Sequence, residues 1–378
     1  MPVWPMLLLT LTPQDAAPAP ATDGRDIVVV GTKVTDLERA LAECIARNCP
    51  PNAEIDAAIA LAEARFLAGA YRDARDGIDD SLKRNRQHRG AYPEPVADLY
   101  LVLSRIHSHL GAPRQGIFNS RERQAVLESA FGANDPRVID ALIERADVLL
   151  REREFDYARD LYREAARRSD TPALFDRYAL ARLRLARIEL GAGAAPEPAQ
   201  VRRAEALLAP ILANAAPGHA DVRLAARGLL ARAAVARGDG DAVEQAIAAG
   251  GVDASRSAQP VLITAPPVDF PERGKGSYSA AARRYWEDQW VDIGFRIARD
   301  GSVGEVEQLR ASEKLAGDWA LSLIASIRER RYAPLADDVK SYRIERYTLT
   351  SPYHKDRGVP IQQRRGYPVL ERLDLTPP

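Results

Sequence analysis

Trp290-Val291-Asp292-Ile293-Gly294-Phe295-Arg296-Ile297-Ala298-Arg299-Asp300-Gly301-Ser302-Val303 is the stretch that decides how this chain is divided. Val291, Ile293, Phe295 and Ile297 alternate with Asp292, Gly294, Arg296 and Ala298. A period of two is that of a half-buried strand. Asp300-Gly301 is the pair a tight hairpin turn prefers, because glycine accepts a positive φ. Val303 to Leu309 returns as a second strand. Beyond it, Trp319, Ala320, Leu323, Ile324 and Ile327 recur at helical spacing and give one apolar stripe. Arg328-Glu329-Arg330-Arg331 closes that helix with cations at its negative end, and Tyr332-Ala333-Pro334 stops it. A third strand-like run spans Ser341 to Thr350. The order strand, turn, strand, helix, strand predicts a small α+β unit over residues 253–351.

Upstream, the text is helical. From Thr35 to Gly251, Ala, Leu, Arg and Glu dominate, punctuated by Gly or Pro. Gly69-Ala70-Tyr71-Arg72-Asp73-Ala74 parallels Arg153-Glu154-Phe155-Asp156-Tyr157-Ala158: an aromatic, then a small residue at a fixed offset. Small residues at 74, 116, 158, 204 and 242 are spaced by 42, 42, 46 and 38 residues. Such a period is the signature of stacked helical hairpins, the small residue letting two helices approach closely. The clearest unit runs from Asp135 to Arg168, with Val138, Leu142, Ala146 and Leu149 on one face of its first helix. This unit resembles the tetratricopeptide repeat, with Ala158 and Ala165 at the small positions of its second helix. The other units are longer than that family's repeat of about 34 residues. The resemblance implies an all-α TPR-like solenoid over residues 37–252, offering proteins or peptides a concave surface built from the first helices. An irregular α-helical domain with similar pairing is the alternative.

The C-terminal unit resembles the C-terminal domain of TonB-type energy transducers, which bind outer-membrane receptors in the bacterial periplasm. Phe295 to Gly301, Ser312, the helix through Ile327 and Tyr332 to Pro334 follow that family's order of strand, Asp-Gly, strand, Ser-rich corner, helix, aromatic and Pro. Two departures stand out. Ala311-Ser312-Glu313 replaces the family's Ser-Ser-Gly corner. A helical array also occupies the place of the membrane anchor and Pro-rich spacer of a transducer. The resemblance implies TonB-dependent receptors of the outer membrane as candidate partners. It also implies capture of an extended peptide by strand addition at the last strand. Arg343, Glu345, Tyr347 and Leu349 share one face of that expected edge strand and are the peptide-binding candidates.

At the N-terminus, the apolar run Val3 to Leu11 is too short for a membrane helix, which takes about 20 residues. With Ala19-Pro20-Ala21 it reads as a cleaved secretory signal over 1–21, followed by a flexible lead over 22–36. The signal lacks a basic start, and a disordered leader on a cytosolic protein is the alternative. After cleavage no stretch is long and apolar enough to span a membrane. Asp26-Ile27-Val28-Val29-Val30-Gly31 reads as an isolated strand, and residues 352–378 as a Pro- and Arg-containing tail. Cys44 and Cys49 are too far apart for a bridge on a regular helix. Asn48 and Pro50-Pro51 should end the helix and let the chain curl back, so an exported chain is expected to carry a Cys44–Cys49 disulfide.

The chain's 378 residues, 46% of them apolar, suffice for two packed domains. Lys plus Arg equals Asp plus Glu at 53 each, which argues against nucleic acid as a partner. Only six of the 53 basic residues are Lys, so arginine clusters are read with a discount for compositional bias. His107 and His109 lie two apart on an expected helix and point to different faces. Gly274-Lys275-Gly276-Ser277 lacks a phosphate loop's first glycine, its place held by Asp269. Asp239-Gly240-Asp241 lacks the remaining ligands of a calcium loop. No nucleophile motif occurs. The expectation is a non-enzymatic, exported interaction adaptor without cofactor or metal. A TonB-type energy transducer is the runner-up and a cytosolic repeat scaffold the third reading, with the oligomeric state open.

Overall fold

The computed structural model describes residues 33–191, 195–254, 259–266, 268, 289–313, 315, 319–335, 341–350, 353–354, 363–364 and 369–376. The expected signal, the strand at 26–31 and the Gly274–Ser277 loop lie outside the described residues.

After α1 (Val34–Ala46) come five helix pairs in chain order: α2 (Pro51–Leu67) with α3 (Tyr71–Asn85), α4 (Pro93–His109) with α5 (Pro113–Phe131), α6 (Pro136–Arg151) with α7 (Phe155–Arg168), α8 (Phe175–Leu190) with α9 (Pro198–Ala213), and α10 (Ala220–Ala236) with α11 (Ala242–Ala249). A short α12 (Gly251–Ala254) follows. Proline at the first helical position starts α2, α4, α5, α6 and α9, where its missing N–H would have no partner anyway. Asp135 caps α6, its carboxylate accepting from Arg137 N at 2.9 Å.

The recurrent small residues all fall on second helices. Ala74, Ala158 and Ala204 are wholly buried, and Ala242 is 6% exposed. At Gly116 a Cβ would stand 2.8 Å from Ser108 Oγ, so α5 approaches α4 too closely for any side chain. Apolar clusters then run from pair to pair. One joins α2, α3 and α4, the next α6, α7 and α8, and a third α8, α9 and α10. The N-terminal region is thus a solenoid-like stack of helical repeats. Among the described residues no helix is long and apolar enough to cross a membrane.

The C-terminal unit begins with β1 (Leu262–Thr264) and continues with β2 (Gln289–Ile297), β3 (Val303–Ala311), α13 (Trp319–Arg328), β4 (Arg331–Tyr332), β5 (Tyr342–Thr350), β6 (Tyr353–His354), β7 (Gln363–Arg364) and β8 (Val369–Asp374). The main sheet is antiparallel, in the order β3-β2-β5-β8, and β1 pairs separately with β4. The β2–β3 connection, the five residues 298–302, is closed by Ala298 N donating to Ser302 O at 2.8 Å. Gly301 takes φ +82, and a Cβ there would also collide with the Tyr332 carbonyl. Trp319, Leu323 and Ile327 of α13 pack on Val291, Ile293, Phe295 and Ile297.

Two expectations are corrected here. Residues 352–378 are not simply a tail, because Val369–Asp374 is the fourth strand of the main sheet and the unit extends past 351. In consequence β5 is not an edge: β2 flanks it on one side and β8 on the other. Its backbone groups are spent in two ladders, which leaves none for an incoming peptide.

Candidate functional site

β2 is buried on both faces over most of its length, not on one. Asp292 is wholly buried, and Gly294 is buried too. Register explains this. Asp292 stands opposite Arg346 of β5, on the face away from α13, and that second face lies against the start of the helical array. Arg346, 1% exposed, donates from Nε to Asp292 Oδ1 at 2.7 Å and from Nη2 to Oδ2 at 3.0 Å. Its Nη1 donates to Phe66 O at 3.1 Å, a carbonyl in the last turn of α2 where the helix presents its negative end. The guanidinium also stacks 3.9 Å from the centre of the Trp290 ring. Trp290 in turn fills the space over Gly69, where a Cβ would lie 2.6 Å from the indole nitrogen.

The seam continues along the ends of the first helices. His109, at the end of α4, packs edge-on against Phe66 and Tyr71 with centroids 4.8 and 4.3 Å away. Its Nδ1 is hydrogen-bonded to Glu371 of β8 at 2.8 Å. Burial works to raise the Glu371 carboxyl, but the His109 bond and charge, with Arg151 beyond, hold it below the ordinary glutamate range. Next to Arg151, Glu152 moves the other way: burial, opposed by Arg151 and reinforced by Glu371, pushes it up to about 7. At the far end of the array, Gly228 of α10 packs on the Ile263 backbone, and Arg331 pairs with Glu244 of α11 at 3.0 Å. The C-terminal unit therefore reaches from the first pair of the array, through the main sheet, to its last, through β1 and β4.

The residues singled out from sequence sit elsewhere. Arg343 pairs with Asp374. Glu345 is buried and held by Arg330 at 2.8 Å and Arg372 at 3.0 Å, and the Tyr347 hydroxyl donates to it. Leu349 packs in the core beneath α13 with Tyr347. The expected face of β5 is thus interior, while the residues one step out of register, Arg346 and Thr348, meet the array. Sequence reasoning missed Asp292, Arg346, Trp290 and Gly69. The available signal was an Asp set between Val291 and Ile293 in one strand and an Arg beside Tyr347 in the strand that pairs with it. Cys44 and Cys49 are bridged, with Cα atoms 5.1 Å apart, because Asn48 takes φ +51 and turns the chain back after α1. Among the described residues no group of His, Cys, Asp or Glu is placed to hold a metal ion.

Across the first helices runs a ladder of charges. Arg105 of α4 faces Glu144 of α6 at 3.5 Å, Asp140 of α6 faces Arg177 of α8 at 2.7 Å, and Asp147 faces Arg184 at 2.9 Å. Tyr162 of α7 also donates to Asp147, at 2.6 Å. At the N-terminal end of the array, α1, α2 and α3 line a cleft of about 360 Å³ that includes Leu41, Ala58, Leu61 and Ala62.

No family model matches this chain, and no curated protein matches it in sequence. Solved structures do match. The crystal structure of BtubC (BKLC) from P. vanneervenii is 17% identical and covers 65% of this chain and 96% of its own, with a TM-score of 0.47. A kinesin-light-chain-type protein of Podosopora anserina with nearly identical TPR-like repeats is 18% identical, covering 55% and 99%, with a TM-score of 0.42. The apo form of the quorum sensor NprR from B. thuringiensis is 14% identical, covering 59% and 61%, also at 0.42.

Proposed function

We propose that the chain is an exported, non-enzymatic adaptor that binds a partner protein on the first-helix face of its repeat array. The observation that carries this reading is the stack itself: five helix pairs, with a ladder of partly buried charges running across the first helices α4, α6 and α8. Such stacks present extended surfaces to other proteins. The Cys44–Cys49 bridge supports export, because disulfides persist in oxidising compartments. In this reading the sheet is a cap clamped over the ends of the repeats. Strand addition at β5 is no part of it.

The runner-up is a TonB-type transducer that delivers energy to outer-membrane receptors. It rests on the sequence order of the C-terminal unit, and it requires the sheet to engage a receptor while one face is held by the array. Intact mass of the chain from separated cell fractions decides between the readings. A periplasmic species lacking residues 1–21 and two further protons is expected. A full-length species in the inner membrane would favour the transducer, and a full-length, reduced species in the cytosol would leave an intracellular scaffold. Photo-crosslinkers placed in turn on exposed positions of α8 and α9 test the face. Adducts with one partner from α8 and none from α9 are expected, and the reverse pattern would sink the first-helix reading.

A further inference from the structure

The N-terminal end of the stack is open. α1 packs chiefly on α2, and Cys44 is the one side chain of α1 that is buried among the described residues. The first unit of a repeat stack leaves apolar surface uncovered unless something caps it. Here Ile45 is 39% exposed and Leu41 is only partly buried. Both line the cleft between α1, α2 and α3, whose volume of about 360 Å³ is in the range of ligand sites. Leu41 and Ile45 of α1 share one face of their helix, as Ala58 and Ala62 do on α2, so two apolar stripes run side by side. On the α3 side stands Gly77, where a side chain would narrow the space.

The two ends of the cleft differ in charge. Beside the start of α1, Glu38 and Arg65 pair at 2.8 Å and neutralise each other. At the far end Arg84 bonds Glu54, in the first turn of α2, at 2.7 Å, and 40% of its side chain stays in water. Among the described residues its guanidinium bonds Glu54 alone, which leaves it further N–H donors for an anion. Asp80, also in the lining, is paired with Lys83 at 2.8 Å.

The chain itself supplies an occupant of matching length and charge. Asp26-Ile27-Val28-Val29-Val30-Gly31, outside the described residues, comes just before Lys33, the N-cap of α1. Gly31 is the residue type that lets a chain reverse. An extended segment returning from Lys33 to Ile27 covers about 20 Å. From Lys33 to Ile45 along α1 is about 18 Å. Folded back, the segment brings Val30 towards Leu41 and Ile27 towards Ile45, and Asp26 arrives at the end where Arg84 stands.

We propose that residues 26–30 dock in the α1–α3 cleft, antiparallel to α1, as an internal peptide that closes the first unit of the stack. A partner peptide bound at this end has to displace them. The segment lies beyond residue 21, so it is kept whether or not the leader is cleaved, and the inference does not depend on the export reading.

The test reads isoleucine methyl signals of the isotope-labelled full chain, with Ile27→Val and Ile45→Val to assign the two residues. A nuclear Overhauser contact between the Ile27 and Ile45 methyls is expected in the parent chain. Val28→Asp combined with Val29→Asp puts a charge on each face of an extended segment. That double variant is expected to lose the contact and shift the Ile45 methyl, while Ile139 of α6 and the helical circular dichroism stay unchanged. Adding a synthetic peptide of residues 24–32 should then return the Ile45 methyl saturably to its parent position. The same peptide with Asp26→Asn should bind about threefold more weakly at low salt. An Ile27 methyl without contact to Ile45, together with an Ile45 signal that the double variant leaves in place, would overturn the proposal. So would an Ile45 signal that moves on dilution as the sedimenting mass halves, because the cleft would then belong to a second copy of the chain.

Discussion

The helical array and the sheet bury charge in opposite ways. In the array the core is rich in alanine and leucine, and the cations and acids of successive first helices meet at its margin, from part-exposed Arg177 and Asp140 to the more covered Arg184 and Asp147, with one buried pair, Arg223 and Asp253, at the C-terminal end. In the sheet Asp292, Glu345 and Arg346 are almost completely removed from solvent. The array can afford surface pairing because each repeat needs only its neighbours. The sheet is covered twice, by α13 on one face and by the array on the other, so any polar residue in its centre is buried whichever way it points. Arg346 gives two donors to Asp292 and a third to the Phe66 carbonyl of the array, while Arg310 of β3 also donates to Asp292 at 2.9 Å. The difference teaches that the C-terminal unit is completed by the array and does not stand alone.

The strongest way to break this relation is Asp292→Ala. It leaves the Arg346 guanidinium buried without its carboxylate, at a cost of about 3–5 kcal/mol. Trp290 and Trp319 report the C-terminal unit and its seam with the array, while far-UV circular dichroism is dominated by the array. Urea unfolding followed by both probes is expected to give one coincident transition for the parent chain. For the variant, fluorescence should move to lower urea ahead of the helical signal. Equal displacement of both would mean that the two regions cannot be separated at all.

A milder perturbation comes from the array's side of the seam. Gly69→Ala places a Cβ against the Trp290 indole at a φ of +83, and is expected to cost about 2–3 kcal/mol. Hydrogen exchange should quicken in β2 and β5 while α6 to α9 stay protected. Faster exchange confined to α2 and α3 would show that the glycine serves its own hairpin and not the docking of the sheet.

The smallest effect sharpens the comparison through pH. Glu152 keeps its proton in the folded chain up to about 7, against 4.5 ordinarily. A raised carboxyl stabilises below the ordinary value, and that stability is lost as pH rises through the folded value. Glu152→Gln is therefore expected to gain about 1 kcal/mol at pH 8 and to be neutral at pH 4. Glu371, held low, works in the opposite sense: its contribution is present above the ordinary glutamate range and disappears as pH falls. Thermal melts of parent and variant at both pH values check this. A variant no more stable than the parent at pH 8 would place Glu152 in water, away from β8.

Much of the fold was legible. The alternation from Val291 to Ile297, the Asp300-Gly301 signal and the stripe from Trp319 to Ile327 place two strands and a helix within a few residues of where they fall. The small residues spaced by about 40 mark the second helices, because a close crossing tolerates little else. β8 escaped because six residues among prolines carry no clear period, and strand pairing over a long gap has no local signature. Losing β8 turned β5 into a false edge and sent the reading of Arg343, Glu345, Tyr347 and Leu349 outward when they face inward or pair within the sheet.

By itself the sequence determined the local elements: which segments are helices or strands, where they stop, and that Cys44 can reach Cys49 once the helix ends. Those outcomes depend on periodicity, glycine, proline and short loops, all of which are local. Only the tertiary structure decided that the sheet has four strands, that its second face lies on the array, and that Asp292 and Arg346 are buried together. These depend on which distant surfaces meet. A strand's pattern fixes two faces but does not say what covers each of them.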